Sequence, residues 1–202
     1  MFVWDRLEKS MFAELYRAVA SRVYSYKASK NNYDAAYLKK VIQNIFLNCD
    51  IPNNTILCLE SEEKVAKETS SINLDNPNSD TEFLEKDGNK IVSCYTTIDD
   101  YGKVMIVISL ELLRRELVEI VNREKEVSSS QIFDILDGLI MHEIWHAHQF
   151  RYIYDTHGNQ EVINVCRREK EYPYGEGPLE SGANAYRWSY GTDKQDLKDV
   201  FG

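Results

Sequence analysis

The sequence predicts an α+β fold in which a small antiparallel sheet packs against helices. Two short apolar runs, IVSCYTT (91–97) and VMIVISL (104–110), flank a connection with Asp99, Asp100 and Gly102 in turn positions. That pattern reads as an antiparallel hairpin. Around it, apolar residues recur at three and four, the helical period, and strands do not alternate with helices as they would in a βαβ series. With 202 residues the chain can bury a core without disulfides, so one domain over 1–202 is expected.

The first fifty residues read as two packing helices. Trp4, Leu7, Met11, Leu15 and Val19 form one stripe, and Ala36, Val41, Ile42, Ile45 and Phe46 a second, with Asn31, Asn32 and Asp34 as caps between them. TILCLE (55–60), short, apolar and bounded by turn residues, reads as a strand. From 61 to 90 the composition shifts to Glu, Ser, Asn, Asp and Lys, which predicts a polar insertion or long loop. After the hairpin, Leu112, Leu113, Leu117, Ile120 and Val121 give a helical stripe. Ser128 and Gln131 form a capping-box pattern for a long helix reaching about Tyr154, on which Ile132, Leu136, Leu139, Met141 and Ile144 are apolar. A last helix should run from Pro178 to about Tyr190, with Gly191 as its stop.

Composition excludes several functional classes. Hydrophobic residues at 43% and charged residues at 28% are a globular mixture. A net charge of −9, from 24 basic and 33 acidic residues, repels a phosphate backbone, so no nucleic-acid partner is expected and neutral or basic peptides are mildly favoured. No apolar run approaches the roughly 20 residues of a membrane helix, and no membrane partner is expected. The amino terminus, with Asp5 and Glu8, does not read as a secretory signal, and a cytoplasmic location is expected. Cys49, Cys58, Cys94 and Cys166 lack the close pairing of thiolate metal sites and read as buried reduced thiols.

The chemistry is concentrated in His142-Glu143-Ile144-Trp145-His146, an HExxH pattern inside the long helix. Residues four apart share a helical face, so both imidazoles can reach one ion, and zinc suits neutral imidazole nitrogen. Glu143, rotated off that face, is placed to take a proton from an activated water. Three residues compete to be the third ligand. His148 is about 200° around the helix from His146 and reads as a surface or outer group. His157 falls at a turn read from Asp155 to Gly158 and would need that loop to fold beneath the ion. Glu180 opens the next predicted helix, 34 residues beyond His146, and can be carried across the first helix. A carboxylate in a first helical turn also stabilises that helix by a few tenths to about 1 kcal/mol, so its position has a purely structural reading too.

The HExxH motif and the later LESGANAYRW (179–188) resemble the gluzincins, the thermolysin-like division of zinc metallopeptidases. The resemblance runs from the hairpin near Ile91 to Trp188 and implies a zincin-like core over 91–190, with an HExxH active-site helix and a second ligand-bearing helix. It implies one zinc ion held by His142, His146 and Glu180, with Glu143 as general base. Asn184, one turn after Glu180, would orient a ligand imidazole, although the larger peptidases commonly have aspartate there. Gly182 and Ala183 are small and permit close helix approach. One of the two hairpin strands would present a free edge to an extended peptide; the sequence leaves open which one. Tyr186, Arg187, Tyr190 and His157, with Tyr172 and Tyr174 on the intervening loop, are candidates for oxyanion or substrate contacts.

The expected function is therefore that of a zinc-dependent peptidase acting on peptides or proteins. A catalytically idle or latent zinc-binding interaction module is the alternative, motivated by the polar 61–90 segment. Deformylase-like hydrolysis ranks third, because its cysteine ligand motif is absent around Cys94 and Cys166.

Overall fold

The computed structural model describes residues 35–49, 51–70, 72, 74, 84–86, 88–123 and 129–189. The first expected helix, the caps at Asn31, Asn32 and Asp34, and the Ser128 cap lie outside them. Helix α1 (Ala35–Asn48) buries Leu38, Val41, Ile42, Ile45 and Phe46 along one face, while Ala36, expected in that stripe, is exposed. Strand β1 (Thr55–Leu59) follows, close to its expected span.

The polar segment is more structured than its composition suggests. It contains helix α2 (Glu62–Thr69) and two short antiparallel strands, β2 (Leu84–Lys86) and β3 (Asn89–Ile91). Ser61 caps α2 by accepting from the Lys64 amide at 3.4 Å, Glu62 and Glu63 stand in its first turn, and Val65, Ala66 and Thr69 are buried. Three buried positions in eight residues are too few to read as a period in the sequence, yet they suffice to hold α2 to the sheet.

Strands β4 (Cys94–Ile98) and β5 (Val104–Ile108) form the expected antiparallel hairpin, with Thr96 opposite Ile106. The sheet as a whole is mixed, a correction to the all-antiparallel expectation: its order is β1-β5-β4, and β1 runs parallel to β5 with Leu57 opposite Ile106. The chain leaves β1 through α2, β2 and β3 and reaches β4 at the far side. The tight hairpin then inserts β5 between them. Both faces of the sheet are covered. Leu57, Ile106 and Ile108 join the core with α1, whereas Ile56, Cys58 and Val107 pack with Val65 and Leu112. Strands β1 and β5, covered on both faces, are largely apolar rather than alternating, which is why their runs are continuous.

Helix α3 (Leu110–Arg123) buries Leu112, Leu113 and Leu117. Helix α4 (Ser129–His157) crosses the sheet and α1, placing Leu136, Ile140, Ile144 and Ile153 in the core. Helix α5 (Asn159–Glu169) occupies about half of what the sequence presents as a connecting loop, and α6 (Pro178–Ser189) closes the described chain near its expected span. The buried Val162 and Val165 are the short apolar signal for α5. Among the described residues no helix is long and apolar enough to cross a membrane. Cys58 and Cys94 are buried and Cys49 and Cys166 half-buried, all as free thiols.

The hairpin turn is tied to α4. Asp99 Oδ1 accepts from the amides of Tyr101 and Lys103 at 2.9 Å, and the Gly102 carbonyl accepts from Arg151 at 2.7 Å and Asn54 at 3.0 Å. Gly102 has φ 75° and lies so close to the Tyr154 ring that a β-carbon would meet it at 2.5 Å, so both backbone and space require glycine. Ile106, fully buried on the central strand, is the sensitive core position. Ile106→Ala is expected to lower stability by about 2 to 5 kcal/mol, read as a fall in the urea midpoint at unchanged slope.

Candidate metal centre

Helices α4 and α6 meet at the HExxH segment, and the small residues of α6 determine how closely. Ala183 is fully buried there. A β-carbon on Gly182 would stand 2.9 Å from Gln149 Nε2 and 3.1 Å from Trp145 Nε1, so a larger residue would have to displace the Gln149 amide and the Trp145 ring. The approach carries Glu180, on the first turn of α6, onto the face of α4 that holds both imidazoles.

His142 Nε2 and His146 Nε2 are 3.0 Å apart, and the Glu180 oxygens stand 3.4 Å from the first and 3.3 Å from the second. Ligands bound tetrahedrally to zinc at about 2.0 to 2.2 Å lie about 3.3 to 3.5 Å from one another, so the carboxylate is already at coordination spacing. Glu180 Oε2 is also buried without a hydrogen bond, the condition that a cation relieves. His142, His146 and Glu180 are thus a group able to hold a metal ion.

The ring of His146 is oriented by a residue that the sequence does not single out for the task. Gln149 Nε2 donates to the Leu179 carbonyl at 3.1 Å, which turns the amide oxygen toward His146 Nδ1 at 2.8 Å. That oxygen can only accept, so Nδ1 carries the proton and Nε2 keeps a lone pair for a metal. Asn184, expected in this role, instead faces Gly175, where its amide would lie 3.6 Å from a β-carbon, and His142 Nδ1 is buried without a hydrogen bond. The reason is reach: Gln149 shares the helix of His146 and has the longer side chain. A glutamine one turn from a motif histidine was the available signal.

Glu143 is buried, and its Oε2 accepts from Thr96 Oγ1 at 2.7 Å; the same hydroxyl lies 3.0 Å from the Glu143 carbonyl. Thr96 is on β4, so the edge strand and the motif helix share this carboxylate. A cavity of about 120 Å³ adjoins the cluster, bounded by Cys94 and Thr96 of β4, by Glu143, and by Tyr174 from the loop before α6. Tyr174 occupies a turn closed by the Glu176 amide on the Pro173 carbonyl at 3.1 Å, with Gly175 at φ 85°. Burial, the Glu180 and Glu143 carboxylates and a hydrogen bond to Glu180 hold the Tyr174 phenol well above its ordinary pKa, so it is a proton donor at neutral pH.

The other expected contacts fare differently. His157 is exposed at the last position of α4, eleven residues past His146 and so about 16 Å farther along the axis, a correction to its expected place at the site. Tyr186 and Arg187 continue α6, their side chains outside the described set, and Tyr190 lies outside the described residues. His148 is buried rather than on the surface, its ring 6.2 Å from that of Trp145.

The fold and site together define a mixed α+β chain with a buried His-His-Glu cluster beside a carboxylate-bearing cavity. Comparison with known proteins yields no matching family model, curated protein or solved structure.

In the metal-free chain, burial works against a charged His146, but Glu180 outweighs it and raises the imidazole pKa from 6.5 to about 9. Stabilisation from that proton is complete below the unfolded value and is lost as pH rises through about 9. Urea midpoints of metal-free protein should therefore fall between pH 7 and pH 10, and Glu180→Gln should remove that part of the slope.

Proposed function

We propose that the protein is a zinc-dependent peptidase of gluzincin type, in which Glu143 acts as general base. The observation that carries this reading is the convergence of His142, His146 and Glu180, with the carboxylate at coordination spacing from both imidazoles, on the wall of a cavity that Glu143 also lines. The HExxH helix, the glutamate-bearing helix α6 and the adjoining strand fit a zincin-like core. Zinc held by these three side chains supplies Lewis acidity and makes water acidic enough to attack near neutral pH.

The chain's own residues do the remaining work. Glu143, held through Oε2 by Thr96, takes the proton of the attacking water and delivers it to the departing amine. Tyr174 donates from its phenol toward the carbonyl oxygen as negative charge develops there. Gln149 keeps His146 in the tautomer that binds. Strand β4, at an edge of the three-stranded sheet and beside the cavity, is the strand along which an extended peptide would add main-chain hydrogen bonds.

A second reading has its own observation. Ile72 and Leu74, from the polar segment, line the same cavity, as expected if the protein is a latent or idle zinc-binding module. Metal analysis with peptide turnover separates the two. The peptidase reading expects about one zinc per chain and, in Glu143→Gln, retained zinc with turnover reduced by about 10²- to 10⁴-fold. Full zinc with no turnover of a mixed peptide library by the wild type supports the module, and no zinc overturns both.

Tyr174→Phe keeps the ring and removes only the donor. It should lower kcat by about 10²- to 10³-fold at unchanged zinc content, measured on the same peptides.

A further inference from the structure

Resting on the metal-site reading above, we propose that Glu169 is a positioning residue for Glu180: from the last position of α5 its carboxylate grips the first turn of α6 and sets the rotation at which Glu180 faces the imidazoles. Glu169 Oε2 accepts from the Leu179 amide at 3.0 Å, and Oε1 accepts from the Glu180 amide, also at 3.0 Å. These amides belong to the first turn, whose N–H groups have no acceptor within the helix.

An N-cap side chain ordinarily satisfies one of them. Here the residue before Pro178 is Gly177, which has no side chain, and a β-carbon there would collide with the Glu169 carboxylate. The cap is therefore supplied from another helix, and Gly177 leaves the room for it. Pro178 has no amide to satisfy, so the one carboxylate takes the next two in succession. A pair of bonds to consecutive amides resists rotation better than a single cap. Because each residue turns a helix by about 100°, slippage by one position would carry Glu180 off the ligand face.

Glu169 is not among the three metal donors, so it acts through Glu180. Gln149 accomplishes something similar from α4, holding the Leu179 carbonyl and the His146 ring together. The first turn of α6 is thus gripped on its amide side by Glu169 and on its carbonyl side by Gln149.

The test uses the full chain with Glu169→Ala and Glu169→Gln, each with and without Glu180→Ala. Two quantities are measured: zinc affinity by chelator competition and hydrogen exchange of the Leu179 and Glu180 amides in metal-free protein. Glu169→Ala should weaken zinc binding by about 10- to 100-fold, with a smaller loss for Glu169→Gln, which keeps one acceptor oxygen. It should accelerate exchange at both amides while leaving β5 protected, and its effect on zinc should vanish once Glu180 is Ala. Unchanged affinity, an equal loss without Glu180, or unchanged exchange each overturns the proposal. Should Glu169→Ala fail to fold, Gly177→Ala, which displaces the carboxylate from the other side, must produce the same two effects. Absence of zinc binding by the wild type would overturn the metal reading, and the exchange measurement would still decide whether Glu169 holds α6.

Discussion

Closest approach between α4 and α6 governs this molecule's site. Two imidazoles one turn apart on a single helix supply only part of a cation's shell, and the remaining ligand must come from elsewhere in the chain. The crossing supplies it because Gly182 presents no side chain where Gln149 and Trp145 press against α6. The same contact lets Gln149 bridge from His146 to the backbone of Leu179, so closeness and ring orientation arise from one packing decision.

The sheet contributes by registration. Its central strand β5 is buried on both faces, which fixes the hairpin, and the hairpin turn is bonded to α4 through Gly102 and Arg151. Strand β4 is thereby held beside the motif helix with Thr96 opposite Glu143. Without that tether Glu143 would be a buried carboxylate with one fewer hydrogen bond, an expensive arrangement. The electrostatics follow the same logic. Burial drives charged groups toward neutrality, but the Glu180 carboxylate is held well below its ordinary pKa by His146 and His142 despite that cost. In the metal-free chain a proton on His146 provides the positive charge that faces Glu180.

Much of the site was legible because its parts are local. HExxH is a statement about one helical face, and a glutamate opening the next helix is the simplest way to add a third side chain. The helices at Ala35–Asn48, Leu110–Arg123 and Ser129–His157 follow from apolar spacing, and the β4-β5 hairpin from its turn residues. Helix α2 and the β2-β3 pair were hidden because polar composition masks the few residues they bury. Helix α5 was hidden for the same reason, with only Val162 and Val165 fully enclosed.

By itself, then, the sequence determined the two imidazoles, the adjacent carboxylate, the strand pair and a glutamate opening a second helix, since each depends on spacing along one element or on a short turn. Tertiary structure alone decided that β1 runs parallel beside β5, that β4 is the strand left at the edge, and that Gln149 rather than Asn184 orients a ring. It also decided that Tyr174 enters the cavity and that Glu169 caps a helix to which it does not belong. Those outcomes turn on distances between elements, which are set by packed side-chain volume and by the pairing of buried polar groups, and neither quantity is carried by a periodicity in the chain.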